Sequence, residues 1–277
     1  MQRLSFGSIT VDALSDGELR LPIGGMFPGA DPAPFRALGG VDEDGNVVAP
    51  LTTFVIRTAG RLLLVDTGLG PELGSLARFG FDGKVGLLPG ALATAGIDPA
   101  AVNTVVFTHL HSDHIGWNVT GADGELRPLF PNAEYVVSQP EWAHWSATQS
   151  KEIARCVRTI EAAGQLRTVE DGFEPAPGVR MLLTPGHTPG HACVLVTGGG
   201  NGGVITGDAA HHPAEMELPE IRAGFDTDPE QSCKSRAALV ARIEAEGLTV
   251  MGGHFPPPGA GNLVRVGARR TWRWLGA

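Results

Sequence analysis

Cysteine is scarce in this sequence, and the few cysteines carry no pattern. Cys156, Cys193 and Cys233 are scattered along 277 residues and form no CxxC pair. Such an odd, dispersed set excludes a disulfide framework and a thiolate metal site, and it is typical of a reducing compartment. Residues 1–14 also lack a basic segment followed by an apolar core, so no signal peptide is expected. We therefore expect a cytoplasmic protein, with a periplasmic form trimmed of its leader as the alternative.

Long apolar runs and basic clusters are missing as well. No stretch reaches the roughly 18 apolar residues of a membrane-spanning helix, so no membrane association is expected. The 30 acidic and 21 basic residues give a formal net charge of −9, and no basic block interrupts it. Because phosphate contacts need clustered Lys and Arg, nucleic acid is not an expected partner. With 42% hydrophobic residues and no linker-like stretch, the chain is predicted to be globular and to form one domain over residues 1–277.

The first fifty residues are predicted to form an extension of that domain. Residues 5–22 alternate around Asp16-Gly17, which predicts a hairpin with its turn at that pair. Residues 23–50 are rich in Gly, Pro and Ala, which predicts a long loop.

Further along, helices and strands alternate. Pro140 at a first helical position predicts a helix over residues 140–163, and Asp228 predicts the N-cap of a helix that Gly247 ends. Residues 51–68 and 192–208 share the order strand, glycine turn, strand, acidic residue, which suggests two similar halves.

The histidines carry the chemistry, because most of them cluster with Asp, Gly and Thr just after predicted strands. Residues 109–114 read HLHSDH. His109 and His111 are two apart, so both imidazoles face one side of an extended chain, and Asp113 and His114 follow where the chain turns. Imidazole and carboxylate together suit zinc or a similar divalent cation. This pattern predicts a metal site.

Two cations need further ligands, and three candidates follow in order along the chain. His187 lies in a Gly- and Pro-rich loop, Asp208 follows Gly207, and His254 follows two glycines. Glycine allows the backbone the unusual angles that aim such side chains inward. Each of the three, taken alone, would more often be an ordinary loop residue.

Together these motifs resemble those of the metallo-β-lactamase superfamily of hydrolases. The resemblance covers about residues 51–257 and includes DTG at 66–68, HxHxDH at 109–114, TPGHTPGH at 184–191, Gly207-Asp208 and Gly253-His254. It implies an α/β (α+β) fold, a four-layer αββα sandwich with two metals at one edge. It assigns His109, His111 and His187 to one cation, and Asp113, His114 and His254 to the other. Asp208 bridges them.

The same resemblance implies the cofactors and partners. Two divalent cations are expected, with Zn²⁺ first and Mn²⁺, Fe²⁺ or Co²⁺ as alternatives. The expected partner is a small-molecule lactone or ester, and a homodimer is a candidate assembly because it is common among the resembling enzymes.

Departures from the pattern narrow the subgroup. Both Asp208 and His114 are present, whereas dizinc β-lactamases lack one of the two, so antibiotic hydrolysis is not expected. His111 stands where flavodiiron proteins carry Glu. The closer resemblance is to lactonases and to organophosphate and aryl-ester hydrolases of the methyl parathion hydrolase type, and residues 207–213 and 225–228 are similar to the latter group. Acyl-homoserine lactonases place a Tyr three residues after the bridging Asp, and His211 at that position favours esters or aryl lactones.

The predicted function is a dinuclear hydrolase that opens lactones or cleaves carboxylic or aryl esters by attack of a metal-bridging hydroxide. Asp113 is the predicted proton shuttle to the leaving alkoxide. His211 would donate a hydrogen bond to the substrate, with a backbone-bonded loop His as the alternative. Trp117 and Phe27 are predicted substrate contacts, Phe27 as a lid, with core packing as the alternative for both.

Other residues are given supporting roles. Asp66 is predicted to orient a ligand imidazole, with turn capping as the alternative. Thr108 and Thr184 are predicted to hold loop backbone, and His191 to bond within its own loop. His144 and His212 are interpreted as surface or packing residues.

Three other functions stay open. They are hydrolysis of organophosphate triesters, an iron persulfide dioxygenase with one metal, and a metal-sequestering protein without enzymatic activity.

Overall fold

Two β-sheets form the centre of the computed structural model, which describes residues 3–122 and 124–276. Within the described residues, the first sheet has eight strands, seven of them in the order β1-β2-β3-β4-β6-β9-β10 with β5 paired to β2. These strands are β1 (Arg3–Phe6), β2 (Ile9–Pro22), β3 (Asn46–Thr58), β4 (Arg61–Val65), β5 (Asp82–Lys84), β6 (Thr104–Val106), β9 (Glu134–Ser138) and β10 (Leu166–Val169). A separate short pair joins β7 (Val119–Thr120) to β8 (Arg127–Pro128).

The second sheet follows in the C-terminal half of the chain. Its described strands lie in sequence order and are β11 (Val179–Leu183), β12 (Ala192–Gly198), β13 (Asn201–Ile205), β14 (Thr249–Met251), β15 (Ala260–Val266) and β16 (Arg269–Trp274).

Helices and helical turns connect the strands. The α-helices are α1 (Ile23–Met26), α2 (Ala33–Leu38), α3 (Leu88–Thr94), α4 (Ser112–Ile115), α5 (Gln139–Ser146), α6 (Arg158–Ala162), α7 (Pro213–Glu217) and α8 (Pro229–Glu246). Tighter 3₁₀ turns cover Gly74–Phe79, Pro99–Ala101, Gly116–Asn118 and Gly207–Ala209, and a wider π turn covers Ile153–Val157. In the part of the chain that the structure describes, none of the helices combines the length and apolar character that crossing a bilayer requires.

Alternating side chains of the two sheets bury three apolar clusters. Phe54 and Val65 point between the sheets, where they meet Val194 of the second sheet. Val55 points to the opposite face of the first sheet, towards the helical layer that contains α3 and α6. On the outer face of the second sheet, Leu195 and its neighbours pack against α8. This alternation produces the predicted αββα order of layers.

The internal similarity noticed in the sequence corresponds to two hairpins, one in each sheet. Strands β3 and β4 pair antiparallel, as do β12 and β13. Each second strand then pairs parallel with a later one, β4 with β6 and β13 with β14. Asp66 and Asp208 follow the two hairpins, so both carboxylates emerge at the carboxyl ends of parallel strands, where open sheets present functional loops.

The prediction of a hairpin turn at Asp16-Gly17 is wrong. Strand β2 runs straight through this pair, with a bulge between Ser15 and Gly17. The hairpin turn lies earlier, between β1 and β2. Gly17 is required because its φ is +124° and a side chain there would collide with the backbone of Lys84. The glycine thus marks close strand contact rather than a change of chain direction.

The prediction of a long loop over residues 23–50 is wrong in part. Helices α1 and α2 form there, and β3 begins at Asn46. The Asp31 carboxylate accepts the Ala33 amide at 2.9 Å at the start of α2. The rings of Phe27 and Phe35 pack with their centroids 4.4 Å apart, so the segment has an apolar core of its own.

The predicted helix over residues 140–163 is interrupted. Helix α5 ends at Ser146, and helical structure resumes with the π turn Ile153–Val157 and α6. The Thr148 hydroxyl donates to the Trp145 carbonyl at 2.8 Å, and the Ser150 hydroxyl accepts the Ile153 amide at 3.3 Å. These hydroxyls compete with helical hydrogen bonds. Helix α8 agrees with the prediction, since Asp228 caps its start and Gly247 adopts the left-handed conformation at its end.

Candidate metal centre and substrate cavity

The seven residues predicted as metal ligands meet at one edge of the two sheets. They form two groups, His109, His111, His187 and Asp208 in one and Asp113, His114 and His254 in the other. Asp208 faces both. Its Oδ2 lies 3.3 Å from His187 Nε2 and 3.7 Å from His109 Nε2, whereas its Oδ1 lies 3.4 Å from His114 Nε2 and 3.2 Å from His254 Nε2.

The spacing of these atoms fits two divalent cations. Nitrogen ligands around a tetrahedral zinc ion at 2.0–2.1 Å would lie about 3.3 Å apart. His111 Nδ1 lies 3.0 Å from His109 Nε2 and 2.9 Å from His187 Nε2. In the other group, Asp113 Oδ2 lies 3.5 Å from His254 Nε2 and 3.8 Å from His114 Nε2. His114 Nε2 and Asp208 Oδ1 are buried without a hydrogen-bond partner, as atoms reserved for a cation would be.

Four of the imidazoles are oriented by acceptors on their far side. His114 Nδ1 lies 2.8 Å from Asp66 Oδ2, and His254 Nδ1 lies 2.8 Å from the Pro50 carbonyl oxygen. His187 Nδ1 lies 3.0 Å from Asp226 Oδ1. Each acceptor requires the proton on Nδ1, which leaves the Nε2 lone pair free for a metal.

The fourth imidazole, that of His109, is oriented through Thr108. The Thr108 hydroxyl donates to Asp66 Oδ2 at 2.7 Å and lies 3.0 Å from His109 Nδ1. Since its own proton goes to the carboxylate, the hydroxyl accepts from His109. Asp66 has a φ of +59°, an uncommon value that turns its carboxylate towards both partners. Thr108 therefore does more than the predicted support of the loop backbone.

Asp226 is a functional candidate that the sequence reasoning missed. It contacts His187 and also lies 3.9 Å from Arg236, whose side chain is fully buried in α8. Arg236 also pairs with Glu215 at 3.0 Å. The only sequence signal for Asp226 is its place in residues 225–228, a stretch that carries part of the family resemblance but does not indicate a role for this residue.

Asp208 is held by residues of the TPGHTPGH loop. His191 Nε2 accepts the Asp208 amide at 3.0 Å, and His191 Nδ1 lies 2.8 Å from the Thr184 hydroxyl. The His191 imidazole thus bonds outside its own loop as well as within it, which extends the prediction. Gly207 is needed here because a Cβ would lie 2.7 Å from His191 Nε2 and from Thr108 Cβ.

Burial and charge act differently on the imidazoles of the two groups. Burial lowers the pKa of His114 and of His254, but Asp208 and Asp113 outweigh it and raise both pKa values, so a cation must displace a proton at these two residues. Burial lowers the pKa of His111 to about 3 and the pKa of His109 well below its usual value, so both imidazoles are neutral at pH 7. Burial raises the pKa of Asp208, but His254, His114 and the other surrounding imidazoles outweigh it and hold that pKa well below its ordinary value. The carboxylate between the two groups is therefore ionised.

His211 lies beside this cluster and faces the cavity. Its Nε2 is 3.3 Å from Asp208 Oδ2, and its Nδ1 is 3.6 Å from Glu215 Oε2. Burial lowers the pKa of His211, but Asp208 and Glu215 together raise it to about 10. Phe27 packs edge-on behind the His211 ring with centroids 6.3 Å apart and is only 1% exposed. The predicted lid role of Phe27 is therefore wrong, because the side chain is core that supports His211.

The predicted substrate contact of Trp117 also needs correction. Its indole N–H donates to Asp16 Oδ1 at 2.8 Å, and its ring packs against the core of the first sheet rather than lining the cavity. Asp16 is fully buried and also accepts the amides of Leu69, Gly70 and Leu88. Of the two other histidines, His212 is buried and caps α7, whereas His144 is exposed.

A cavity of about 320 Å³ opens above the metal-binding residues. Much of its wall is apolar and comes from Leu19, Met26, Leu76, Phe81, Trp145 and Phe225. The rings of Phe81 and Phe225 lie 5.4 Å apart, and the Trp145 ring lies edge-on to His111 at 5.6 Å. Ser75, Ser150 and Glu152 add a polar patch. Such a cavity suits a small, largely apolar molecule.

Proteins of a known family are similar to this chain in sequence. The family described as "Metallo-beta-lactamase superfamily" matches residues 48–254. An N-acyl homoserine lactonase from a Bacillus species is 30% identical over 192 residues, which cover 65% of this chain and 71% of that protein.

Solved structures resemble the whole fold. The hydrolase AbOPH, described as belonging to the beta lactamase superfamily, has a TM-score of 0.83 at 24% identity. The matched region covers 98% of this chain and 95% of the AbOPH chain. AidC, described as a dizinc quorum-quenching lactonase, has a TM-score of 0.80 at 20% identity. The matched region covers 98% of this chain and 96% of the AidC chain. At such identities the likeness establishes a shared fold.

Proposed function

Because this chain belongs to the metallo-β-lactamase superfamily, we propose that it is a dinuclear metal-dependent hydrolase that opens lactones or cleaves carboxylic esters, aryl esters included. The observation that carries the proposal is the orientation of Asp208. Its two carboxylate oxygens face two separate groups of ligand atoms, at 3.2–3.4 Å from His187, His114 and His254. A site for one metal would not need the second group of ligand atoms.

The residues that would hold the cations are those of the two groups, with Asp208 shared between them. Two bound divalent cations, of the Zn²⁺ type that suits this nitrogen-rich site, would supply Lewis acidity and a water whose pKa is lowered to around 7. The acceptors behind the imidazoles, Asp66, Asp226 and the Pro50 carbonyl, keep the ligand atoms aimed at those positions.

Asp113 and His211 are the proposed catalytic residues. Asp113 lines the cavity with its side chain 15% exposed, so its Oδ2 can take up a proton and pass it to a leaving alkoxide. His211 Nε2 also reaches the cavity and can donate a hydrogen bond to the substrate carbonyl or the leaving group. The Phe27 ring behind His211 restricts the rotation of the imidazole and excludes water from that side.

The cavity wall supports an ester or lactone with an apolar part as the substrate. Phe81, Phe225 and Leu76 offer apolar surface to an acyl or aryl group. The related Bacillus protein is an N-acyl homoserine lactonase, which supports a lactone as one substrate class. His211 stands at the position where the resemblance places Tyr in such lactonases, which supports esters and aryl lactones as further substrates.

A substrate panel on protein of known metal content tests the proposal. Dihydrocoumarin, acyl-homoserine lactones, p-nitrophenyl esters and methyl paraoxon would be assayed side by side, with Asp208→Asn as the shape-matched control. We expect the highest kcat/KM on a lactone or carboxylic ester and background rates for the control. Higher kcat/KM on the phosphotriester would favour the organophosphate alternative. Absence of hydrolysis across the panel by metal-loaded protein would refute the proposal.

A further inference from the structure

A carboxylate lies in the wall of the substrate cavity, outside the metal-binding cluster. Glu152 belongs to the segment that interrupts the predicted helix, between α5 and the π turn Ile153–Val157. The mechanism proposed above gives it no task. A negatively charged side chain in a mainly apolar pocket nevertheless affects which substrates can enter.

Two serines hold this carboxylate in place. The Ser150 hydroxyl donates to Glu152 Oε2 at 2.9 Å, and Ser75 from the turn Gly74–Phe79 provides a second side-chain hydrogen bond. Burial raises the pKa of Glu152, but the hydrogen bonds from Ser75 and Ser150 outweigh it and lower that pKa below its usual value. The group is therefore ionised at neutral pH, and both serines line the same cavity.

The negative charge of Glu152 acts on molecules that enter the cavity. None of the described residues that line the cavity is Lys or Arg. The positive charges of the cavity are His211 and the two proposed divalent cations, which lie in or beside the metal-binding cluster, whereas Glu152 lies outside that cluster. Lys151, the adjacent cation that contributes to the low pKa of Glu152, is exposed and does not line the cavity. Aromatic rings of Trp145, Phe81 and Phe225 line the cavity together with the carboxylate. Aromatic faces and a carboxylate are the two protein groups that attract organic cations.

We infer that Glu152 makes this cavity select esters or lactones that carry a positively charged group on the part remote from the reacting carbonyl, and reject anionic ones. The inference deepens the proposed function and rests on it for the position of the ester. In such a complex the carbonyl lies over the metal-binding cluster, and the cationic group lies between Glu152 and the aromatic wall. A carboxylate at that place would be repelled by Glu152.

Matched esters test the inference. The p-nitrophenyl esters of ω-trimethylammonio-hexanoic acid, of the same acid with a tert-butyl group in place of trimethylammonium, and of the acid with a terminal carboxylate differ only in charge at one end. The wild-type protein should prefer the cationic ester to its tert-butyl match, and the anionic ester should be the poorest. In Glu152→Gln, the ratio of kcat/KM for cationic over neutral ester should fall about fivefold to tenfold, an effect reduced by partial solvent exposure. High salt should weaken the wild-type preference in the same direction.

A control variant and a binding measurement distinguish failure of the inference about Glu152 from failure of the proposed hydrolase function. Glu43 is exposed and does not line the cavity, so Glu43→Gln makes the same change in net charge and should leave the ratio as in wild type. An unchanged ratio in Glu152→Gln, or an equal drop in Glu43→Gln, would overturn the inference. If the wild type cleaves none of these esters and none of the lactones and esters of the substrate panel, the proposed function fails. Calorimetric dissociation constants of the trimethylammonio acid and its tert-butyl match then still decide whether Glu152 selects cations.

Discussion

The floor and the wall of the candidate site are built in different ways. The floor consists of the seven metal-binding candidates, which follow strand ends and are mostly buried, with imidazoles fixed by partners such as Asp66. The wall consists largely of half-buried side chains from separate segments, among them Leu76, Phe81, Glu152 and Phe225, together with the buried Leu19 and Met26. The comparison teaches that the two sheets position the chemistry, whereas the connecting segments decide which substrate reaches it.

The largest effect is expected at the centre of the floor. Asp208→Ala removes the carboxylate shared by both ligand groups, so at least one cation should be lost. Turnover of every substrate should fall about a thousandfold or more, because the loss of a metal removes several kcal/mol of transition-state stabilisation. Metal analysis and steady-state kinetics measure the two effects. A variant that keeps both cations and its full rate would show that the floor is not the catalytic centre.

A smaller effect is expected one layer behind the floor. Asp66→Asn weakens the acceptor that fixes His114 and, through Thr108, His109. Metal affinity should fall about tenfold to a hundredfold, measured by competition with a chelator. Asp44 is exposed, so Asp44→Asn is a matched control that should bind metal as the wild type does. Equal affinities for the three proteins would contradict the orienting role of Asp66.

A substitution in the wall should change the substrate preference and leave the metal content unchanged. Phe81→Ala removes one of the two rings that pack 5.4 Å apart above the floor. We expect kcat/KM for aryl esters to fall about tenfold, since the loss of apolar contact on this scale is worth 1–3 kcal/mol, and metal content to stay the same. A matching loss of metal would show that wall and floor are not separable.

The smallest effect is expected from Trp117, which lies in neither part. Trp117→Phe removes the indole donor to Asp16 and leaves the other three donors in place. The free energy of unfolding should fall by about 1 kcal/mol in a urea titration, and kcat/KM should stay within about twofold of wild type. If kcat/KM falls instead while stability is unchanged, Trp117 contacts substrate as the sequence analysis predicted.

The same division explains how much could be predicted from the sequence. The floor was predictable because several His and Asp at short spacing after a strand form a pattern with few other functions, as at residues 109–114. The αββα layers followed from the family resemblance that these motifs carry. Asp226 was not predicted, because a single acidic residue in a loop does not indicate which imidazole it will contact.

The wall was not predictable, because its members are ordinary apolar residues whose neighbours depend on how distant segments fold. Phe27 and Trp117 were chosen for lying in a loop or near a motif, yet both turn into the core. Phe81 and Phe225 meet although 144 positions separate them in the numbering, from 81 to 225. Asp16 was interpreted as a turn residue because Asp-Gly is typical of hairpins, while its four hydrogen bonds connect segments far apart in the chain.

Metal stoichiometry of the purified protein tests the dinuclear assignment most directly. Inductively coupled plasma mass spectrometry on the wild type should give about two divalent cations per chain, with Asp208→Ala holding one or none. One iron per chain in the wild type, or no firmly bound transition metal after dialysis against metal-containing buffer, would contradict the assignment.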